Sequence, residues 1–87
     1  MTTITLAPDV TATDVPDGLV LLDQRRGRYW QLNRTGAGAL RLLMAGHSAE
    51  EVAARLAEPA PAAASRAHHD VRELLRALCE ARLVVAS

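Results

Sequence analysis

Gly27-Arg28-Tyr29-Trp30-Gln31-Leu32-Asn33-Arg34-Thr35-Gly36-Ala37-Gly38-Ala39-Leu40 is the stretch in which the chain changes its period. Arg28 to Leu32 reads as a strand, with Tyr29 and Gln31 pointing one way and Trp30 and Leu32 the other, because strand side chains alternate faces. From Thr35 onward Leu40, Leu43 and Met44 recur at helical spacing, and Asn33 or Thr35 can cap the start. Gly36 and Gly38 disfavour a helix interior by about 1 kcal/mol each relative to Ala. Their presence therefore suggests close approach of the first turn to another backbone.

Upstream of the switch the signals are those of strands. Val10-Thr11-Ala12-Thr13 alternates and is β-favouring. Val15-Pro16-Asp17-Gly18 is a turn, with Pro presetting the bend and Gly accepting a positive φ. Leu19-Val20-Leu21-Leu22 is an apolar run too short for a helix, and reads as the central strand. Asp23 to Gly27 is a polar hairpin connection. A meander of three short strands leaves at least one edge with unpaired N–H and C=O groups.

Downstream the chain is helical. Gly46 closes the first helix. Ser48-Ala49-Glu50-Glu51 matches a capping box for a second, short helix that carries Val52 and Leu56 and stops at Pro59. Pro59-Ala60-Pro61-Ala62-Ala63-Ala64 is a low-complexity connector. The last helix carries Val71, Leu74, Leu75, Leu78 and Arg82, with polar residues between. Leu83-Val84-Val85 suits either a short terminal strand or packing against the sheet. The expectation is a single domain over residues 1–87, with strands over about 10–33 and helices over about 35–83. It is an α+β fold resembling a winged helix-turn-helix, a three-stranded antiparallel sheet followed by three helices.

With 87 residues there is room for one modest core, and with 49% hydrophobic residues but no Phe, one Trp and one Tyr that core must be aliphatic. Ten basic residues, all Arg, balance ten acidic ones. Zero net charge removes the general phosphate attraction on which nucleic-acid affinity rests. One cysteine, Cys79, forms no internal disulfide. Met1 to Leu6 lacks a basic, then apolar, signal pattern, and no run approaches the ~20 apolar residues of a membrane span. The expectation is a cytoplasmic protein that touches neither membrane nor nucleic acid.

Signatures of catalysis are missing: no Gly-rich phosphate loop, no G-x-S-x-G and no H-E-x-x-H. His68 and His69 point about 100° apart on a helix, and Cys79 lies ten residues beyond. No metal, no cofactor and no enzymatic activity are expected. Asp14, Asp17 and Asp23 sit in turns, where Asp makes local hydrogen bonds.

The opening stretch, followed by Leu42-Leu43, resembles the central signature of PqqD-like proteins: a Gly, paired aromatics, Leu-Asn, Thr-Gly, then a helix with a large apolar residue and a double Leu. The Ser48–Glu51 box and Leu74-Leu75…Leu83-Val84 fall where that family has them. The resemblance covers roughly residues 10–85 and is strongest to the free-standing leader-binding proteins of lasso peptide biosynthesis. Leu40 departs from the Trp that many relatives carry. The resemblance implies a recognition domain for ribosomally synthesised, post-translationally modified peptides. Its implied partners are the precursor leader peptide, a leader peptidase and an ATP-dependent lactam-forming cyclase.

It also implies the mode of binding: the leader adds as a strand to the third strand's edge, against the last helix. Carried over, the edge is Arg28, Tyr29, Trp30, Gln31, Leu32 and Asn33. The helical wall is Asp70, Leu74, Ala77 and Leu78, and Val20 and Leu22 floor an apolar pocket. Trp30 and Leu32 are equally readable as core, whereas Val71 and Leu75 read as core. A winged-helix DNA-binding protein is one alternative, weakened because Arg55 is the only base on the second helix. A dimerisation or scaffold module pairing its edge with a second copy is another.

Overall fold

The computed structural model describes residues 3–87; Met1 and Thr2, the start of the Met1–Leu6 segment considered above for a signal pattern, lie outside them. In chain order the elements are β1 (Ile4–Leu6), β2 (Val10–Val15), β3 (Gly18–Asp23), β4 (Arg28–Asn33), α1 (Arg34–Met44), α2 (Ala49–Leu56), a 3-10 turn (Pro61–Ala63), α3 (Ala64–Glu80) and β5 (Val84–Ala86). The expected three-stranded antiparallel sheet and three helices are present. A second sheet, β1 paired with β5, was not foreseen.

The larger sheet has the order β2-β3-β4. Pro16-Asp17 links β2 to β3, with Val15 opposite Gly18. Gly18 has φ +155°, and a Cβ there would fall 1.9 Å from the Leu32 carbonyl oxygen, so the β3–β4 approach requires glycine. Leu19 and Leu21 lie opposite Leu32 and Trp30 on the inner face, while Val20 and Leu22 lie opposite Gln31 and Tyr29 on the outer one. The sequence pattern had correctly divided Tyr29 and Gln31 from Trp30 and Leu32.

Asn33 ends β4 and caps α1, its Oδ1 accepting the Gly36 amide at 2.8 Å. A Cβ added to Gly36 would lie 3.3 Å from the Asn33 Oδ1 and 3.6 Å from the Leu32 Cβ, both side-chain atoms, and one added to Gly38 would meet open space, so neither glycine marks the expected approach to another backbone. α1 closes in a Schellman motif: the amides of Gly46 and His47 donate to the carbonyls of Leu43 and Leu42, and Gly46 has φ +104°. α2 begins with the expected capping box, the Ser48 Oγ accepting the Glu51 amide while the Glu51 carboxylate accepts the Ser48 amide.

α3 stops at Glu80, so Arg82, expected on this helix, lies beyond its end. Arg82 instead takes φ +60°, and the amides of Arg82 and Leu83 donate to the carbonyls of Cys79 and Leu78. This is a second Schellman ending with arginine where glycine is usual. The chain then turns into β5, which zips antiparallel to β1, and reciprocal Thr3–Ser87 backbone bonds of 2.9 and 3.0 Å extend the pairing. The core between the sheet and helices is aliphatic, as composition requires, with Leu21, Leu40, Val52, Leu78 and Leu83 fully enclosed. Met44, which shares the helical spacing of Leu40 and Leu43, is exposed.

Candidate functional site

β4 is an edge strand because β3 pairs with it on one side only. Five of its six residues are exposed, Tyr29 at 76% and Trp30 at 38%. An edge of this kind offers alternate backbone N–H and C=O groups to any extended chain that approaches. The strand contains neither Pro nor Lys, and its one charged residue, Arg28, is drawn to the Ala81 carbonyl.

α3 supplies the complement. Ala67, Asp70, Val71 and Leu74 follow i, i+3, i+4, i+7 spacing and therefore share a helix face. With Leu56 of α2 they line a groove of about 340 Å³, whose opposite bank is Asn33 at the end of β4 and Thr35, Gly36 and Ala39 of α1. The lining is mainly apolar. Its one acid, Asp70, is exposed and makes no hydrogen bond or ion pair among the described residues.

At the other end of β4, the Arg28 guanidinium donates to the Ala81 carbonyl oxygen at 3.0 Å. Ala81 caps α3, so a cation there meets the negative end of the helix dipole. The same guanidinium lies 3.7 Å from the Asp23 carboxylate. Asp23 is the buried charged residue among those described, at 1% exposure. Burial pushes its pKa up, but the Arg26 guanidinium and the Arg26 and Arg25 amides favour the carboxylate more strongly, leaving the value below the ordinary 3.8. The β3–β4 loop and the start of the edge strand are thus organised around one ionised side chain.

The residues singled out in the sequence separate into groups. Asn33, Asp70 and Leu74 come together on the groove, and Arg28, Tyr29, Trp30 and Gln31 stand on the exposed strand. Leu32 and Leu78 are core, and Ala77 is partly buried outside the groove lining. Val20 and Leu22, expected to floor the pocket, lie on the outer face of the sheet. They are one residue out of step with buried Leu19 and Leu21, and pleating sends them the other way. Val71 is both core and groove floor.

Ala67 was missed although its spacing to Val71 and Leu74 is in the sequence. Thr35, Gly36, Ala39 and Leu56 carried no such signal, since only the tertiary arrangement brings their elements to α3. His68 does not join Cys79; it reaches Glu50 of α2 at 3.7 Å, and no group of three or more His, Cys, Asp or Glu among the described residues could hold a metal ion. Nor is any helix among them long and apolar enough to cross a membrane.

An edge strand beside a helix-walled groove, on this order of elements, defines a class. The family model of coenzyme PQQ synthesis protein D (PqqD) matches residues 18–84, and the chain belongs to that family. Among solved structures, it is similar to one described as lasso peptide synthetase B1 complexed with the leader peptide. The two share 34% identity over 94% of this chain and 96% of that one, with a TM-score of 0.86. It is also similar to TbiB1 in complex with the TbiA(beta) leader peptide, at 26% identity over 92% and 93% of the two chains and a TM-score of 0.78. Comparison with curated protein sequences finds no match.

Proposed function

We propose that this chain binds the leader segment of a ribosomally synthesised lasso precursor peptide and presents it to a leader peptidase and an ATP-dependent lactam-forming cyclase, with no catalysis of its own. The observation that carries the reading is the exposed edge of β4 beside the α3 groove, in a fold that two leader-peptide complexes share along nearly their whole length. In this reading the leader adds as a fourth strand to Arg28–Asn33. Backbone bonds supply affinity, and alternate side chains enter the groove or lie over the outer face. Asp70 and Leu74 read the inward side chains, Trp30 packs against the added strand, and Tyr29 and Gln31 meet the outward ones. Val20 and Leu22 extend that outer surface by one strand.

The test uses the intact chain and the TbiA(beta) leader. Trp30 is the only tryptophan, so its emission reports directly on the edge. Strand addition should shift that emission to the blue and move the amide signals of residues 28–33 and 67–74. Proline scanning over Tyr29, Trp30 and Gln31 adds a geometric check. Successive residues of an edge strand turn their N–H groups alternately inward and outward. Proline at outward positions should abolish binding with the fold intact, whereas at inward ones it should disturb the sheet. No response to leaders of this class, with the chain folded, would overturn the proposal.

A further inference from the structure

A second cavity lies outside the groove and shares no lining residue with it. It measures about 530 Å³ and opens between the β3–β4 loop, the end of α3 and β5. Three arginines, Arg25, Arg26 and Arg82, line it, and no carboxylate does. Arg26 is bound to Asp23 at 3.2 Å, but Arg25 and Arg82 are exposed and have no ion-pair partner among the described residues. The acids adjacent in sequence stand outside the lining. Glu80 is held by Arg76 at 2.9 Å, and Asp9 makes no ion pair, while its carbonyl accepts the Gln24 amide. Ser87 is paired with Thr3 beyond the cavity lining.

The rest of the wall is apolar and extended. Val84, Val85 and Ala86 of β5 contribute to it, with Pro8 across from them. β5 has β1 on one side only, and Val85 is 46% exposed. A small anion would satisfy the guanidinium groups and leave this strand bare. Nucleic acid would use the charge but gain nothing from Val85. A polypeptide in extended form uses both, because its side chains alternate and its backbone can pair with a free strand edge.

We propose that this cavity is a docking site for an extended segment of a second polypeptide in which acidic and apolar residues alternate, its carboxylates meeting Arg25 and Arg82 and its backbone running along β5. The two sites share no lining residue, and the inference does not depend on leader binding. Opposite charge across such a contact speeds association and excludes partners of the wrong sign.

The probe is a synthetic acetylated hexapeptide of alternating Glu and Val, with its Gln-Val counterpart as control, titrated into the isotope-labelled intact chain. Amide shifts at residues 25, 26 and 82–86 are expected with the acidic peptide alone. They should persist when TbiA(beta) leader is present in excess and weaken as salt is added. The double variant Arg25→Ser with Arg82→Gly should reduce affinity about tenfold or more. Glycine suits the positive φ of position 82, so the variant keeps its fold, which circular dichroism verifies. Equal binding of the Glu and Gln peptides would overturn the proposal, as would shifts confined to residues 28–33 and 67–74. So would equal or tighter binding of inorganic phosphate or duplex DNA at the same amides.

Discussion

Asp23 shows how much one side chain can organise. Its carboxylate takes two loop amides and the Arg26 guanidinium, and Arg28 stands beside it on the way to Ala81. Because its folded pKa lies below the ordinary value, the charged form stabilises the fold at all pH values above about 3.8. That contribution is lost as the pH falls through the lower folded value. Asp23→Asn should therefore lower the denaturant midpoint at neutral pH and flatten the acid limb of the stability curve, read by urea titration at several pH values. Arg82 presents the opposite case, a residue in a conformation that its side chain disfavours. Arg82→Gly should stabilise the protein by about 1 kcal/mol, a rise in Tm of about 4–8 °C for a domain of this size. An unchanged or lower Tm would mean that the arginine side chain contributes packing that offsets the strain.

Among the elements, those with local grammar were the ones readable in the sequence. The Ser48–Glu51 box, the Pro16-Asp17 turn with Gly18, and the Asn33 boundary each rest on residues within four positions of one another, and each is in the structure. β1 had no such neighbour: its partner, β5, lies at the other end of the chain, and three residues are too few to show a period. Arg82 was misplaced for a related reason, since a helix ending normally announced by glycine is made here by arginine. The groove was half readable. Asp70 and Leu74 follow from helix spacing, whereas Thr35, Ala39 and Leu56 reach it only through packing. Ser48→Ala removes one half of the α2 cap and should cost about 1 kcal/mol, measured by thermal melting. Since Leu56 of α2 lines the groove, the same variant tests whether fraying of that helix weakens leader affinity.

At the scale of the molecule, α1 packs on the inner face of the main sheet with α2 and α3 stacked around it, while the outer face is open and β2 and β4 are both edge strands. Pleating made that division legible for β4, where the alternation is strong. It was not legible for β3, where the continuous run Leu19-Val20-Leu21-Leu22 does not declare which residues face the core, and the structure sets Val20 and Leu22 on the outer face. The β1–β5 ribbon carries a different consequence. With Thr3 and Ser87 hydrogen-bonded to each other, the backbone comes close to being a closed ring. Joining those positions through a short Gly-Ser bridge and opening the chain in the Pro59–Ala64 connector should yield a circular permutant with the parent's circular dichroism spectrum and its leader affinity. An opening within Gly27–Asn33 should lose both, because there the order of the residues along the chain is itself what builds the edge.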